Sequence, residues 1–271
     1  MEFSLAFPVS FWILFLIAAI ISSIGYYKFV YFISLGYGFS ITGLGIMMLI
    51  MYHRSITFLG VLQCALLIIY GCRLGGYLLK RELSSASYRN TMKNEIKSGD
   101  NMSFFAKFSI WITCALLYVL QVSPVFYRLF SGIGDDSLSY LGLAIMTFGI
   151  IIESLADYQK SKAKKKNPKR FCHEGLFKVV RCPNYLGEVI FWTGVLLTGA
   201  TSLQGAMQWI CALTGYVAIV YIMFGGARRL ELRQNKNYGD DIEYQEYVRT
   251  TPILLPSIPL YSVANWDWLK G

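Results

Sequence analysis

Apolar residues in this chain are gathered into long runs, and the charged residues collect in the gaps between them. A helix needs roughly 20 mostly apolar residues to cross about 30 Å of hydrocarbon. Seven runs qualify: Pro8 to Ile24, Phe29 to Tyr52, Thr57 to Leu79, Phe104 to Val125, Leu138 to Ala156, Tyr185 to Gly199 and Gln204 to Phe224. The pattern predicts an all-α, polytopic membrane protein with about seven transmembrane helices, forming a single integral membrane domain over residues 1–271. The sixth run is short. A Gly/Thr/Ser turn joins it to the seventh, so the two are expected to form a helical hairpin. The first run has no basic leader and no small-residue cleavage pattern, and reads as a retained span rather than a signal peptide.

Composition agrees with this pattern. Hydrophobic residues make up 55% of the chain and charged residues 15%, against about 45–50% and about 25% in soluble domains. So few charges cannot cover a soluble surface, which excludes a soluble enzyme, a disordered chain and a secreted disulfide scaffold. The net charge of +9 would suggest nucleic acid in a soluble protein, but its distribution gives another reading. Nearly all of the Lys and Arg fall on one side of the alternating loops: Lys28, those between Lys80 and Lys97, those from Lys160 to Arg181, and those after Phe224. The other side has Arg54 and Arg128. The positive-inside rule then places the N-terminus outside and the C-terminus in the cytosol, and topology accounts for most of the positive charge. Six cysteines without a CxxC or paired spacing read as free thiols. His53 and His173 fall on opposite sides of the membrane, so no metal site is expected.

Ionisable groups inside apolar runs are costly and tend to be functional. Here they include Arg73, Glu153 and Glu188, each within about two turns of the cytosolic end of its run. Asp157, Lys160, Arg181, Asn184, Arg228, Arg229 and Glu231 fall in the same layer. The plain reading is snorkelling and ion pairing at headgroup level. Residues from four segments at one depth favour instead a polar pocket open to the cytosol. The basic run from Lys160 to Arg170, Lys164 included, suits anionic lipid or phosphate. Pro183 fits the first turn of a helix, whose free N–H groups would face an anion. Asn184 and Glu188, four apart, share its face. Gly187 admits another backbone or a flat ligand. Tyr70 and Arg73 share a face of the third run, and a phenol beside a guanidinium makes a plausible proton donor.

These residues carry a resemblance. The motifs are Ala156-Asp-Tyr-Gln-Lys160, Gly175-Leu-Phe, Arg181-Cys-Pro-Asn-Tyr-Leu-Gly-Glu188, Asn237-Tyr-Gly, Tyr244-Gln-Glu-Tyr247, Thr251-Pro and Pro256, with a weaker match at Tyr70 to Arg81 and Tyr88-Arg89. They resemble the steroid 5-alpha-reductase-like membrane oxidoreductases, in particular the branch described as a domain of unknown function with a steroid-reductase-like C-terminus. The resemblance implies a seven-helix bundle in which residues 138–260 bind NADPH at the cytosolic side and residues 1–125 admit a lipophilic enone from the bilayer. It assigns the carbonyl-polarising phenol to Tyr70. It assigns cofactor contacts to Asp157, Lys160, Lys164, Arg181, Asn184, Tyr185, Glu188, Arg228 and Glu231, with Arg73 and Glu153 supporting the substrate. The chain departs from the family twice. Cys182 stands where the family often has His, and no acidic residue lies between Glu2 and Glu82 to match the family's Glu on the second helix.

The expected activity is therefore NADPH-dependent reduction of a carbon–carbon double bond in a steroid, sterol or related lipid. It would take place in a bacterial inner membrane or the endoplasmic reticulum, with membrane lipids and the lipophilic substrate as partners. The alternative is an S-adenosylmethionine-dependent membrane methyltransferase similar to the isoprenylcysteine carboxyl methyltransferases. The polybasic sequel to Asp157 suits a phosphate-bearing cofactor better. A transporter would show repeated halves and midplane charges, and neither is present.

Overall fold

The computed structural model describes residues 5–84 and 102–269. Its helices are α1 (Val9–Ser22), α2 (Leu35–Tyr52), α3 (Phe58–Ser84), α4 (Phe104–Ser131), α5 (Ser137–Lys166), α6 (Pro183–Ala200), α7 (Gly205–Tyr238) and α8 (Ile242–Thr250). Short 3₁₀ turns occur at Ser23–Tyr26, Phe29–Phe32, Gly175–Lys178 and Asp267–Leu269. No strand occurs among the described residues. Among the described residues, six segments are long and apolar enough to cross a membrane: Val9–Tyr26, Phe29–Tyr52, Phe58–Ser84, Phe104–Ser131, Ser137–Lys166 and Gly205–Tyr238. The chain is thus an integral, multi-pass membrane protein. The expected sixth run does form a helix, α6, but the polar opening Pro-Asn-Tyr-Leu-Gly-Glu keeps it below the apolarity of the other six. The Tyr88-Arg89 match and the basic residues Lys93, Lys97 and Lys270 lie outside the described residues.

The chain divides into two compact units, one of Met1–Leu143 with Val195–Tyr216 and the other of Ala144–Gly194 with Val217–Gly271. In the first, α2 lies against α3 through glycine. A Cβ on Gly71 would sit 2.3 Å from the Gly38 carbonyl oxygen, and one on Gly38 would sit 2.8 Å from the Gly75 nitrogen. The Gly71-x-x-x-Gly75 spacing is the small-residue stripe that lets membrane helices touch backbone to backbone. Ser103 caps the start of α4 by accepting from the Ala106 amide at 3.2 Å, and Gly132, left-handed at φ 62°, ends it. Pro124 inside α4 cannot donate to the Leu120 carbonyl. The Ser123 hydroxyl donates to that oxygen instead, at 2.8 Å.

Arg128 closes this unit. Its Nε donates to the Thr198 carbonyl at 2.5 Å and its Nη1 to the Gly134 carbonyl at 2.7 Å. Its Nη2 reaches Asp136 at 2.5 Å and the Thr201 hydroxyl at 2.6 Å. A buried guanidinium with this many partners is neutralised rather than stranded. It ties α4 to the turn at 201–204 that links α6 to α7.

In the second unit, α5 and α6 also meet through glycine. A Cβ on Gly149 would lie 2.7 Å from the Gly187 carbonyl oxygen, and one on Gly187 would lie 2.8 Å from the Glu153 nitrogen. Of the two uses expected for Gly187, the structure shows the close backbone. The C-terminal segment then folds against α6 and α7. Cys182, Ala227, Leu230, Ile253, Leu254, Val263 and Leu269 form one apolar core, packed on by Tyr185, Leu186, Phe224 and Trp266. Ala156, Cys172 and Phe177 form a second core.

Candidate functional site

The entry to α6 is built as its sequence predicts. Pro183 opens the helix, and the Leu186 amide donates to the Cys182 carbonyl at 3.0 Å. Ahead of it, Gly175 adopts φ 63°, a left-handed conformation that favours glycine. A Cβ there would also lie 2.5 Å from the Gln159 side chain. That side chain accepts from the Leu176 amide at 2.8 Å. Gln159 and Gly175, from two separate motifs, are therefore one device that folds the loop back onto α5. Tyr247 serves the same loop, donating to the Phe177 carbonyl at 2.7 Å. Tyr244 donates to Asn235 at 2.7 Å.

The charges of this layer divide by what they hold. Arg181 and Glu231 pair at 2.8 Å with side chains 0% and 1% exposed. Arg181 also donates to the Tyr261 carbonyl, and the second Glu231 oxygen accepts from the Val263 amide at 2.9 Å. Arg228 donates to the Ala264 carbonyl at 3.1 Å and to Asp267 at 3.3 Å. The backbone continues the attachment, with the Arg181 amide on Pro252 at 2.8 Å and the Cys182 amide on Ile253 at 3.0 Å. Lys164 donates to the Pro168 and Arg170 carbonyls and to the Tyr238 hydroxyl, at 3.1, 2.6 and 3.0 Å. These four residues, expected as cofactor contacts, hold the loop before α6 and the C-terminal segment in place. The physical reason is that a guanidinium or carboxylate taken out of water needs several partners, and the folded-back tail supplies backbone ones.

The other predicted residues lie on the same elements. Glu153 is buried on α5, and Asp157 and Lys160 are half-buried one and two turns further along it. Glu188 is buried on α6, and Tyr185 packs its ring against Gly226 of α7. The Oδ1 of Asn184 is buried and has no partner among the described residues, and the same holds for Nε and Nη1 of Arg181. Buried polar atoms are nearly always paired, so this oxygen is available to a donor from outside the chain. Cys182 is wholly enclosed, and burial pushes its thiol up to about 12. At neutral pH it is a small apolar core residue, which explains why a Cys serves there. The same cause moves Tyr244 up to about 12. A cleft of about 360 Å³ opens beside this entry, lined by Arg170, His173, Lys178, Tyr247 and neighbours. From the sequence His173 is weighed only as a metal ligand and set aside, and Lys178 is not singled out, because their spacing matches no site pattern.

In the first unit Tyr70 is fully buried on α3. Its hydroxyl lies 2.8 Å from that of Tyr37 on α2. The Tyr37 ring in turn packs on Tyr118 of α4 at 5.3 Å, and the Tyr118 hydroxyl donates to the Phe32 carbonyl. Arg73 is half-buried one turn beyond Tyr70. Sequence reasoning paired Tyr70 with Arg73 and missed Tyr37. The available signal was Gly38 beside it, which brings α2 onto Gly71 and Gly75 of α3. Gln63, two turns before Tyr70, was also missed. It is fully buried, and neither its Oε1 nor its Nε2 has a partner among the described residues.

Comparison with known proteins gives family but no chemistry. A family described as "Protein of unknown function (DUF1295)" matches residues 14–251. An uncharacterised protein of Schizosaccharomyces pombe is 24% identical over 240 residues, covering 80% of this chain. This chain spans 66% of that protein's length. No solved structure matches.

Proposed function

We propose that this chain, which belongs to the DUF1295 family, is an NADPH-dependent reductase of a carbon–carbon double bond in a membrane-soluble enone lipid such as a steroid or sterol. The observation that carries the reading is the Tyr37–Tyr70 pair. Two phenolic hydroxyls 2.8 Å apart, both buried in the bilayer part of the fold, suit a ketone oxygen that gains negative charge as its conjugated system is reduced. Tyr70 donates to that oxygen, and Tyr37 holds the Tyr70 hydroxyl in place. Tyr37 thereby occupies the role left open by the lack of an acidic residue between Glu2 and Glu82.

The residues around α6 fit NADPH. The buried Oδ1 of Asn184 would accept from a donor of the bound cofactor. The basic end of α5 and the cleft cation Lys178 suit phosphates, whereas Arg170 in the same cleft is already paired with Glu243. When bound, the cofactor supplies hydride. The chain offers basic, water-facing groups in one unit and an apolar, water-excluding setting around Tyr70 in the other, which are the two needs of a soluble hydride donor and an oil-soluble acceptor. We place the cofactor end in the cytosol, in a bacterial inner membrane or the endoplasmic reticulum.

The test is purified protein with NADPH and a 3-keto-4-ene steroid, followed by nicotinamide absorbance and by thermal shift with NADPH or S-adenosylmethionine. NADPH consumption and an NADPH-dependent rise in Tm are expected. Stabilisation by S-adenosylmethionine alone would replace the reading with the methyltransferase one. Tyr70→Phe is expected to cut turnover by about 100-fold or more with NADPH binding unchanged; undiminished turnover would remove Tyr70 as the donor.

A further inference from the structure

Gln63 carries an inference about the lipid itself, one that rests on Tyr70 meeting the ketone. A carboxamide offers two N–H donors and two acceptor lone pairs. In the membrane interior every polar group has to find its partner within the protein or a ligand, because no water is available. Gln63 is 0% exposed, and both ends of its amide lack a partner among the described residues. On α4, Gln121 repeats the pattern at its Oε1.

The position of Gln63 says what kind of partner fits. It lies on the buried stripe of α3 that continues through Leu67 to Tyr70 and Gly71. Residues seven apart share a helix face, and at a rise of 1.5 Å per residue Gln63 and Tyr70 are about 10 Å apart along the axis. A lipid with a single ketone held at Tyr70 leaves the amide bare. A rigid lipid with a second oxygen function at its far end brings a carbonyl or hydroxyl to it. We propose that Gln63 is the second polar anchor of the lipid site, and that it selects, among rigid lipids whose ketone meets Tyr70, those carrying a second oxygen function about 10 Å away. Gln63 then makes the protein selective for such lipids over single-ketone analogues, because a site built to hydrogen-bond a polar group discriminates strongly against its absence.

The test uses androstenedione, an enone with a second ketone on its five-membered ring, and the analogue lacking that second ketone. kcat/KM and thermal shift are measured in the purified full chain with NADPH. The unaltered protein is expected to favour androstenedione by at least about tenfold. Gln63→Leu is expected to erase the preference by raising KM for androstenedione alone, with kcat and the analogue's KM unchanged. Ligand-free Gln63→Leu is expected to melt no lower than the parent, since an unpaired amide has been replaced by an apolar group of similar size. Gln63→Met, which keeps the length and drops the amide, repeats the measurement if Leu disturbs packing. A preference that survives both substitutions overturns the anchor and leaves the reductase reading standing. Equal handling of both steroids by the parent does the same. If neither steroid is reduced nor shifts Tm, the reading of the function falls and takes the anchor with it.

Discussion

Asp136 is a single residue whose charge state can be followed from outside. Partial burial by itself would raise its carboxyl, but hydrogen bonds from Thr201, Arg128 and the Ser139 amide outweigh that and hold it well below the usual carboxylate range. A carboxylate depressed in the folded state contributes its stability in full above its unfolded pKa, about 4, and loses it as pH falls further through the folded value. Asp136→Asn is therefore expected to cost about 1–3 kcal/mol at neutral pH, because the buried Arg128 loses its counter-charge. The gap in Tm between variant and parent should narrow below about pH 4. A gap that is constant from pH 7 to pH 3 would show that the carboxylate charge is not what holds Arg128. The sequence makes some of this legible and hides the rest for a physical reason. A charge within an apolar run or at its cytosolic end is costly, so Arg181, Glu188 and Glu231 are visible as special. Their partners are not: the carbonyl of Tyr261 and the amide of Val263 are backbone groups, and no side-chain pattern announces where a distant tail will fold back. Arg181 and Glu231 were thus recognisable as special charges, while their attachment to the folded-back tail was not.

Helices in this chain are placed by what their glycines allow. Gly71 has no room for a side chain, whereas Gly76, one turn on and exposed, has nothing within 4 Å of an added Cβ. The two positions give a matched test of the α2–α3 contact. Gly71→Leu forces the helices apart and is expected to cost about 3 kcal/mol or more. Because that contact also brings Tyr37 to Tyr70, any reductase activity falls with it. Gly76→Ala is expected to be neutral or to stabilise by about 0.5 kcal/mol through the unfolded chain. Thermal melts in detergent distinguish the two, and equal effects would mean that the small-residue stripe does not set the helix spacing. Helix existence was legible here because long apolar runs leave the backbone no other option in a bilayer. The Tyr37–Tyr70 contact was not, since it depends on which faces of α2 and α3 meet, and hydrophobicity around a membrane helix does not mark one face. Gly71-x-x-x-Gly75 and Gly38 were the readable hints.

At the scale of the whole molecule, the number of bilayer crossings sets the sides on which the termini lie. Six segments among the described residues meet the requirement by length and apolarity, and an even number would leave both termini on the same side. α6 decides the parity. At 18 residues it is about 27 Å long, close to the hydrocarbon thickness of about 30 Å. Its start carries Gly187 against Gly149 and Glu153 of α5. Its end places the Thr198 carbonyl on Arg128, and Thr201 just beyond it on Asp136, within the cluster that precedes α5. The polar residues that lower its hydropathy, Pro183, Asn184 and Glu188, all fall in its first two turns, at the level of the basic end of α5 rather than in mid-membrane. We therefore expect α6 to cross, giving seven passes, with the N-terminus outside and the C-terminus on the basic, cytosolic side. Reporter fusions test this directly. A periplasmic-type phosphatase is expected to be active at the N-terminus and silent at the C-terminus, and a fluorescent protein the reverse. Both termini on one side would make α6 a re-entrant element, and the site at its start would then need a different route for the cofactor. Reversed activity at both ends would invert the protein and remove the phosphate-binding role assigned to Lys160 and its neighbours, since NADPH is a cytosolic ligand in the proposed reading.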